Sequence, residues 1–143
     1  VKKIILSSIK LSLLINMNNK LINTTQKFFK LLTGKISVSS ENINNIFSKN
    51  SKIISTYSND IIERKNLKNH INKIKNDDIN YDNIFNSFEK INNETYVNNC
   101  YVRWVSKSRP SFKNRITFVY TYYDNIKDYQ IDLVHSSKLP FDE

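Results

Sequence analysis

From Asn114 to Pro140 the chain reads N-R-I-T-F-V-Y-T-Y-Y-D-N-I-K-D-Y-Q-I-D-L-V-H-S-S-K-L-P. Ile116, Phe118, Tyr120 and Tyr122 take one side of an extended chain, and Thr117, Val119 and Thr121 the other. Asp124-Asn125 is a turn signal, and Tyr129 to Val134 alternates again. Two period-two runs around a turn predict an antiparallel hairpin from about Arg115 to Leu133. Its second strand ends in His135-Ser136-Ser137, a titratable group beside two hydroxyls.

Upstream the periodicity changes. Leu21, Ile22, Phe28, Phe29, Leu31 and Leu32 predict an amphipathic helix over Asn18–Thr33, ended by the single glycine, Gly34. Ser40-Glu41-Asn42 caps a short second helix with Ile43, Ile46 and Phe47 inward. Lys52 to Ser58 is a β-branched strand. Asn66 to Lys75 is a third helix, with Leu67, His70, Ile71 and Ile74 on its inner face. Thr95 to Ser106 is a long strand in which Trp104 and Cys100 read as core. With one Gly and two Pro, the turns rest on Asn, Asp and Ser. Helices early and an antiparallel meander late predict an α+β domain with helices on one face of a curved sheet, and a pocket at its mouth.

At 143 residues, 39% of them hydrophobic, the chain suffices for one cored domain. We divide it into an N-terminal extension, residues 1–17, and one domain, residues 18–143. Three readings fit Val1–Asn16, which is basic, acid-free and interrupted by Lys10: an organelle-targeting segment, the first turns of a long helix, or sequence upstream of a start at Met17. The expected location is cytoplasmic or organellar. The run is too short to span a bilayer, so no membrane span is predicted. The net charge is +9, but seven of the 22 basic residues precede Glu41 and all 13 acidic ones follow from there, so the body is nearly neutral. That argues against specific nucleic-acid binding. Arg103, Lys107, Arg109, Lys113 and Arg115 read as a solvated hairpin edge. A single Cys excludes an internal disulfide. Two histidines fall short of three zinc ligands; Asp60 or Glu63 would complete a set, but no spacing requires it. We therefore expect neither metal nor cofactor.

R-x-T-F-x-Y, a turn, then Q-I-D-L-x-H-S-S-x-L-P resembles the closing hairpin of one branch of the cystatin-like α+β cone folds, also called nuclear-transport-factor-like. That branch holds SnoaL-like proteins, the association domain of calcium/calmodulin-dependent protein kinase II and the iota-class carbonic anhydrases. F-F-K-L-L-T-G-K resembles the family's first helix, and I-F-S-K-N-S-K-I-I-S-T-Y-S-N its L-Y-A-x-D-A-x-L-L-P-T-x-S-N segment. Residues Tyr81–Ile91 have helical spacing at Ile84, Phe85, Phe88 and Ile91, but the resemblance implies a strand there, which we adopt. In the iota-class pattern, H-H-S-S-x-x-P, this chain has Val134 for the first His and keeps the second as His135. The helix that carries Y-F in the family carries His70-Ile71 here.

The resemblance implies hydration of carbon dioxide to bicarbonate without metal. His135 would be the base, and Thr56 and Ser137 the hydroxyl donors holding the growing negative charge. His135 and Ser137 share one strand face and Ser136 takes the other. His70, Ser136, Tyr57, Tyr101 and Arg115 would surround the substrate. The alternative is a non-catalytic domain that binds another small ligand or assembles with copies of itself. The expected partners are a small molecule and a second copy in a homo-oligomer.

Overall fold

The computed structural model describes residues 2–55, 60–108 and 110–138, with all side chains there except those at 2–7, 9–16, 83, 84 and 138. Helix α1, Lys2–Leu32, is continuous. Met17 is the first of its described side chains to pack against the core, and Leu21, Phe28, Phe29 and Leu31 are buried. The helix ends as a Schellman motif. Gly34 sits at φ +69°, the Lys35 N–H donates to the Lys30 carbonyl at 2.9 Å, and the Gly34 N–H to that of Leu31 at 3.3 Å. Helix α2, Ser40–Ile46, is capped one residue earlier than the sequence suggested, by the Ser39 hydroxyl accepting from the Asn42 N–H at 3.1 Å.

Strand β1, Phe47–Ser55, follows α2 without a break. It starts earlier than the predicted Lys52 because Phe47 already pairs with Ile131. The sequence reading missed β2, Ile61–Glu63, and a 3-10 turn, Arg64–Asn66. Helix α3, Leu67–Ile74, then leads into the meander of β3 (Ile79–Lys90), β4 (Thr95–Ser106), β5 (Phe112–Tyr123) and β6 (Asp128–Lys138). The six-stranded sheet has the order β2-β1-β6-β5-β4-β3, with β1 parallel to β6 and every other pair antiparallel. Irregularities interrupt the β1–β6, β3–β4 and β5–β6 ladders, as suits a curved sheet. Among the described residues no helix is long and apolar enough to cross a membrane.

Register sorts the sheet into rows. Asn86, Cys100, Ile116, Ser136 and Ser55 lie side by side across β3, β4, β5, β6 and β1. Beside them run Phe88, Asn98, Phe118, Val134 and Ile53. These rows face the helices, and Phe28 packs edge-on against Phe118 at 5.3 Å. The intervening row, Ser87, Asn99, Thr117, His135 and Ile54, faces away from the helices. The helical spacing in β3 is resolved by parity: Phe88 packs against the core while Phe85 is 51% exposed on the outer face.

Candidate functional site

A cavity of about 560 Å³ opens between the helices and the inner face of the sheet. Phe28 and Leu32 of α1 and His70 and Ile74 of α3 form its helical wall. Ile53, Ser55, Ile79, Trp104, Phe112, Asn114, Ile116, Val134 and Ser136 form the sheet wall. The amphipathic stripe Leu67-His70-Ile71-Ile74 explains the placement of α3: Leu67 and Ile71 are fully buried, and His70 is left at the cavity margin.

The cavity has a polar pole. Asn114 is buried and its Nδ2 donates to the Ser136 hydroxyl at 3.2 Å. Its Oδ1 has no hydrogen-bond partner, nor does the buried indole N–H of Trp104. An acceptor and a donor are thus unsatisfied in one wall, each at a cost of roughly 1–3 kcal/mol. Burial is the main reason that the His70 pKa is lowered; Lys73 adds to the shift and Asp60 opposes it. A neutral imidazole is therefore favoured at neutral pH.

The register separates the residues that the sequence brought together. His70 and Ser136 line the cavity. His135 is exposed on the outer face beside Thr117, and Ser137 is beside Arg115. Arg115 also lies on that face, donating to the Tyr101 hydroxyl and stacking its guanidinium 5.1 Å from the ring centre. The expected convergence of His135 and Ser137 with His70 is corrected accordingly. The residue that faces the cavity is Val134, 1% exposed and paired with Ile53 and Phe118. Shifting β6 by one residue to admit His135 would expel Val134 from the core. The same separation keeps the two histidines from sharing a metal ion. Among the described residues no three His, Cys, Asp or Glu side chains come together to hold one. Thr56 and Tyr57 lie outside the described residues.

Sequence reasoning missed Asn114, Ser55 and Trp104 as cavity residues. A signal for Asn114 was present: it shares strand parity with Ile116, Phe118 and Tyr120, so it is a polar residue on an apolar face. Cys100 is buried, as expected of a core residue, and burial pushes its thiol up to about 12. Deeper in the core, Tyr120 is hydrogen-bonded to Thr25 and accepts from Asn98 Nδ2 at 3.3 Å. Asn98 in turn donates to Asn86 at 2.9 Å, so this polar cluster is internally satisfied.

No protein-family model matches the sequence, and no curated protein matches it either. Solved structures do match in three dimensions. A protein of unknown function with a cystatin-like fold from Nostoc punctiforme superposes with a TM-score of 0.71 at 10% identity, over 86% of this chain and 91% of that one. The fold is cystatin-like. An NTF2-like protein of unknown function from Pseudomonas aeruginosa gives 0.66 at 7% identity, over 85% and 97% of the two chains. The association domain of C. elegans CaMKII gives 0.64 at 8% identity, over 84% and 94%. At such identities the similarity is one of architecture and carries no function over to this chain.

Proposed function

We propose that this cystatin-like domain binds a small, uncharged, mainly apolar molecule in the cavity. Asn114, Ser136 and His70 would hold its polar end. The observation that carries this reading is the lining. Among the described residues nine apolar side chains surround a few polar ones, and no Lys, Arg, Asp or Glu lines the cavity. A charged ligand would lose its hydration there and gain no counter-ion. The volume lies within the range of small-molecule sites, roughly 300–1,000 Å³. A hydroxyl or amide on the ligand would pair with the Ser136, His70 and Asn114 side chains that line the wall.

Trp104 is the only tryptophan and lines the cavity, so its fluorescence reports occupancy. Cyclohexanol should change that fluorescence saturably, and cyclohexanecarboxylate should not. Asn114→Leu should weaken cyclohexanol binding by about tenfold, the equivalent of one hydrogen bond. Equal binding of the carboxylate, or no saturable change with either compound, would end the reading. Carbon dioxide hydration through His135 would need that side chain in the cavity. Under the binding reading, metal-stripped protein hydrates carbon dioxide no faster than buffer, and His135→Ala changes nothing.

A second reading, assembly, is supported by the outer face. Val97, Val119 and Leu133 form one half-buried apolar row across β4, β5 and β6, with Tyr101 nearby. Phe85 and Val105 are 51% and 42% exposed. A second copy of this chain would cover that face. The C. elegans structure, an association domain by name, has the same architecture. Assembly uses the opposite side of the sheet from the cavity, so both readings can hold together.

A further inference from the structure

The outer edge of the sheet carries a second concavity, remote in chemistry from the first. It measures about 500 Å³ and is lined by Lys49, Asn50, Ser51, Lys52, Glu63, Arg64 and Lys65. Four cations face one carboxylate. Lys65 lies 3.9 Å from Glu63, while among the described residues Lys49, Lys52 and Arg64 form no ion pair.

Chain geometry makes the hollow. The β1–β6 ladder breaks between Phe47 and Lys52, so the intervening segment departs from regular pairing. Ser51 is buried there, its hydroxyl donating to the Ser48 carbonyl at 2.8 Å. The 3-10 turn after β2 supplies Arg64 and Lys65. Arg64 is anchored: its Nη2 donates to Asn44 Oδ1, while its Nε is buried with no partner. A guanidinium held through one Nη, beside two lysines that form no ion pair, is arranged to offer its remaining Nη hydrogens to an anion with several oxygens.

We infer that this concavity binds the phosphate groups of a small phosphorylated molecule. The held Arg64 supplies directional hydrogen bonds, and Lys49 and Lys52 supply charge. Such a ligand is disfavoured in the cone cavity, which no cation lines among the described residues, so the two sites take opposite classes of molecule.

Isothermal titration of the full chain with inorganic pyrophosphate, at ionic strength fixed with sodium chloride, tests the assignment. Saturable one-to-one binding is expected. Lys49→Glu changes an exposed side chain and should weaken binding by about tenfold or more, as should Arg64→Gln. Lys90→Glu makes the same charge change on β3, at the opposite edge of the sheet, and should leave the affinity unaltered. The fluorescence response to cyclohexanol should be unchanged in Lys49→Glu, which separates this site from the cavity. Absence of saturable heat overturns the inference. So does an equal loss in Lys90→Glu, which would mean attraction to net charge alone. Tighter binding of a short single-stranded RNA than of pyrophosphate, lost in the same variants, would make the edge a nucleic-acid surface instead.

Discussion

One position along β6 separates Val134 from His135, and with it the inside of the cone from the outside. A strand offers its side chains to alternate faces, so neighbours in a motif cannot share a site. The hydroxyl that reaches the cavity is therefore Ser136, and Asn114 is its partner on β5. Among the two histidines, His70 alone lines the cavity. Its pKa is lowered from 6.5, mainly by burial, so the unfolded chain takes up the proton first. The resulting stability is complete above about 6.5 and is lost as the pH falls through that value toward the depressed folded one. Proton NMR should show the His70 imidazole titrating below 6.5. Over the same interval His70→Gln should flatten the acid-side fall in thermal stability. A His70 titration at or above 6.5 would show that the imidazole is solvated and outside the cavity wall. That His70 belongs to an inner face was legible from its spacing with Leu67, Ile71 and Ile74. That His135 does not belong there depended on which face of β6 is buried.

The elements followed from local pattern wherever one period dominated. Thr95–Ser106 is β4 with its predicted bounds, and the closing hairpin pairs antiparallel as expected but runs past the predicted Leu133, from Asn114–Lys138 to Tyr123–Asp128. In β3 the helical spacing did not mark one buried face: Phe88 packs against the core, while Phe85 and Ile91 are exposed. β2, at only three residues, is too short to carry a period. Turn chemistry was legible in kind but not in position. Asp124-Asn125 marked the hairpin turn, yet the left-handed residue is Lys127, at φ 55°. Two substitutions test this pair of turns. Gly34→Ala should destabilise the protein by about 1–2 kcal/mol, the cost of a Cβ at positive φ. The new Cβ would also come within 1.7 Å of Asp77 Oδ1, but an exposed carboxylate tip can rotate away. Adding Asp77→Ala should therefore recover little. Lys127→Gly should gain a few tenths of a kcal/mol, since relief of φ outweighs an exposed pair with Asp124 worth under about 1 kcal/mol. Urea denaturation reads both changes, and opposite signs would show that the surrounding turns, not φ, set the energies.

At the scale of the whole molecule, helices cover one side of the sheet, and among the described residues nothing covers the other. Static light scattering at micromolar concentration should give at least a dimer. Val119→Glu, a charge in the middle of the bare face, should shift it to monomer while leaving the cyclohexanol response in place. A monomeric wild type would remove the assembly reading and leave the cavity reading standing. β2 was missed, and β3 was assigned from the family resemblance against its helical spacing; the α+β class, the order of the other elements, the hairpin and most of the core could be read from the sequence alone. Each rests on periodicity over a few neighbouring residues, and local sterics and apolar spacing set that. The cavity, the opposed placement of His70 and His135, and the basic edge around Arg64 were decided only by tertiary structure. Each depends on register between strands far apart in the chain, and no local period encodes which face of a strand a distant helix will cover.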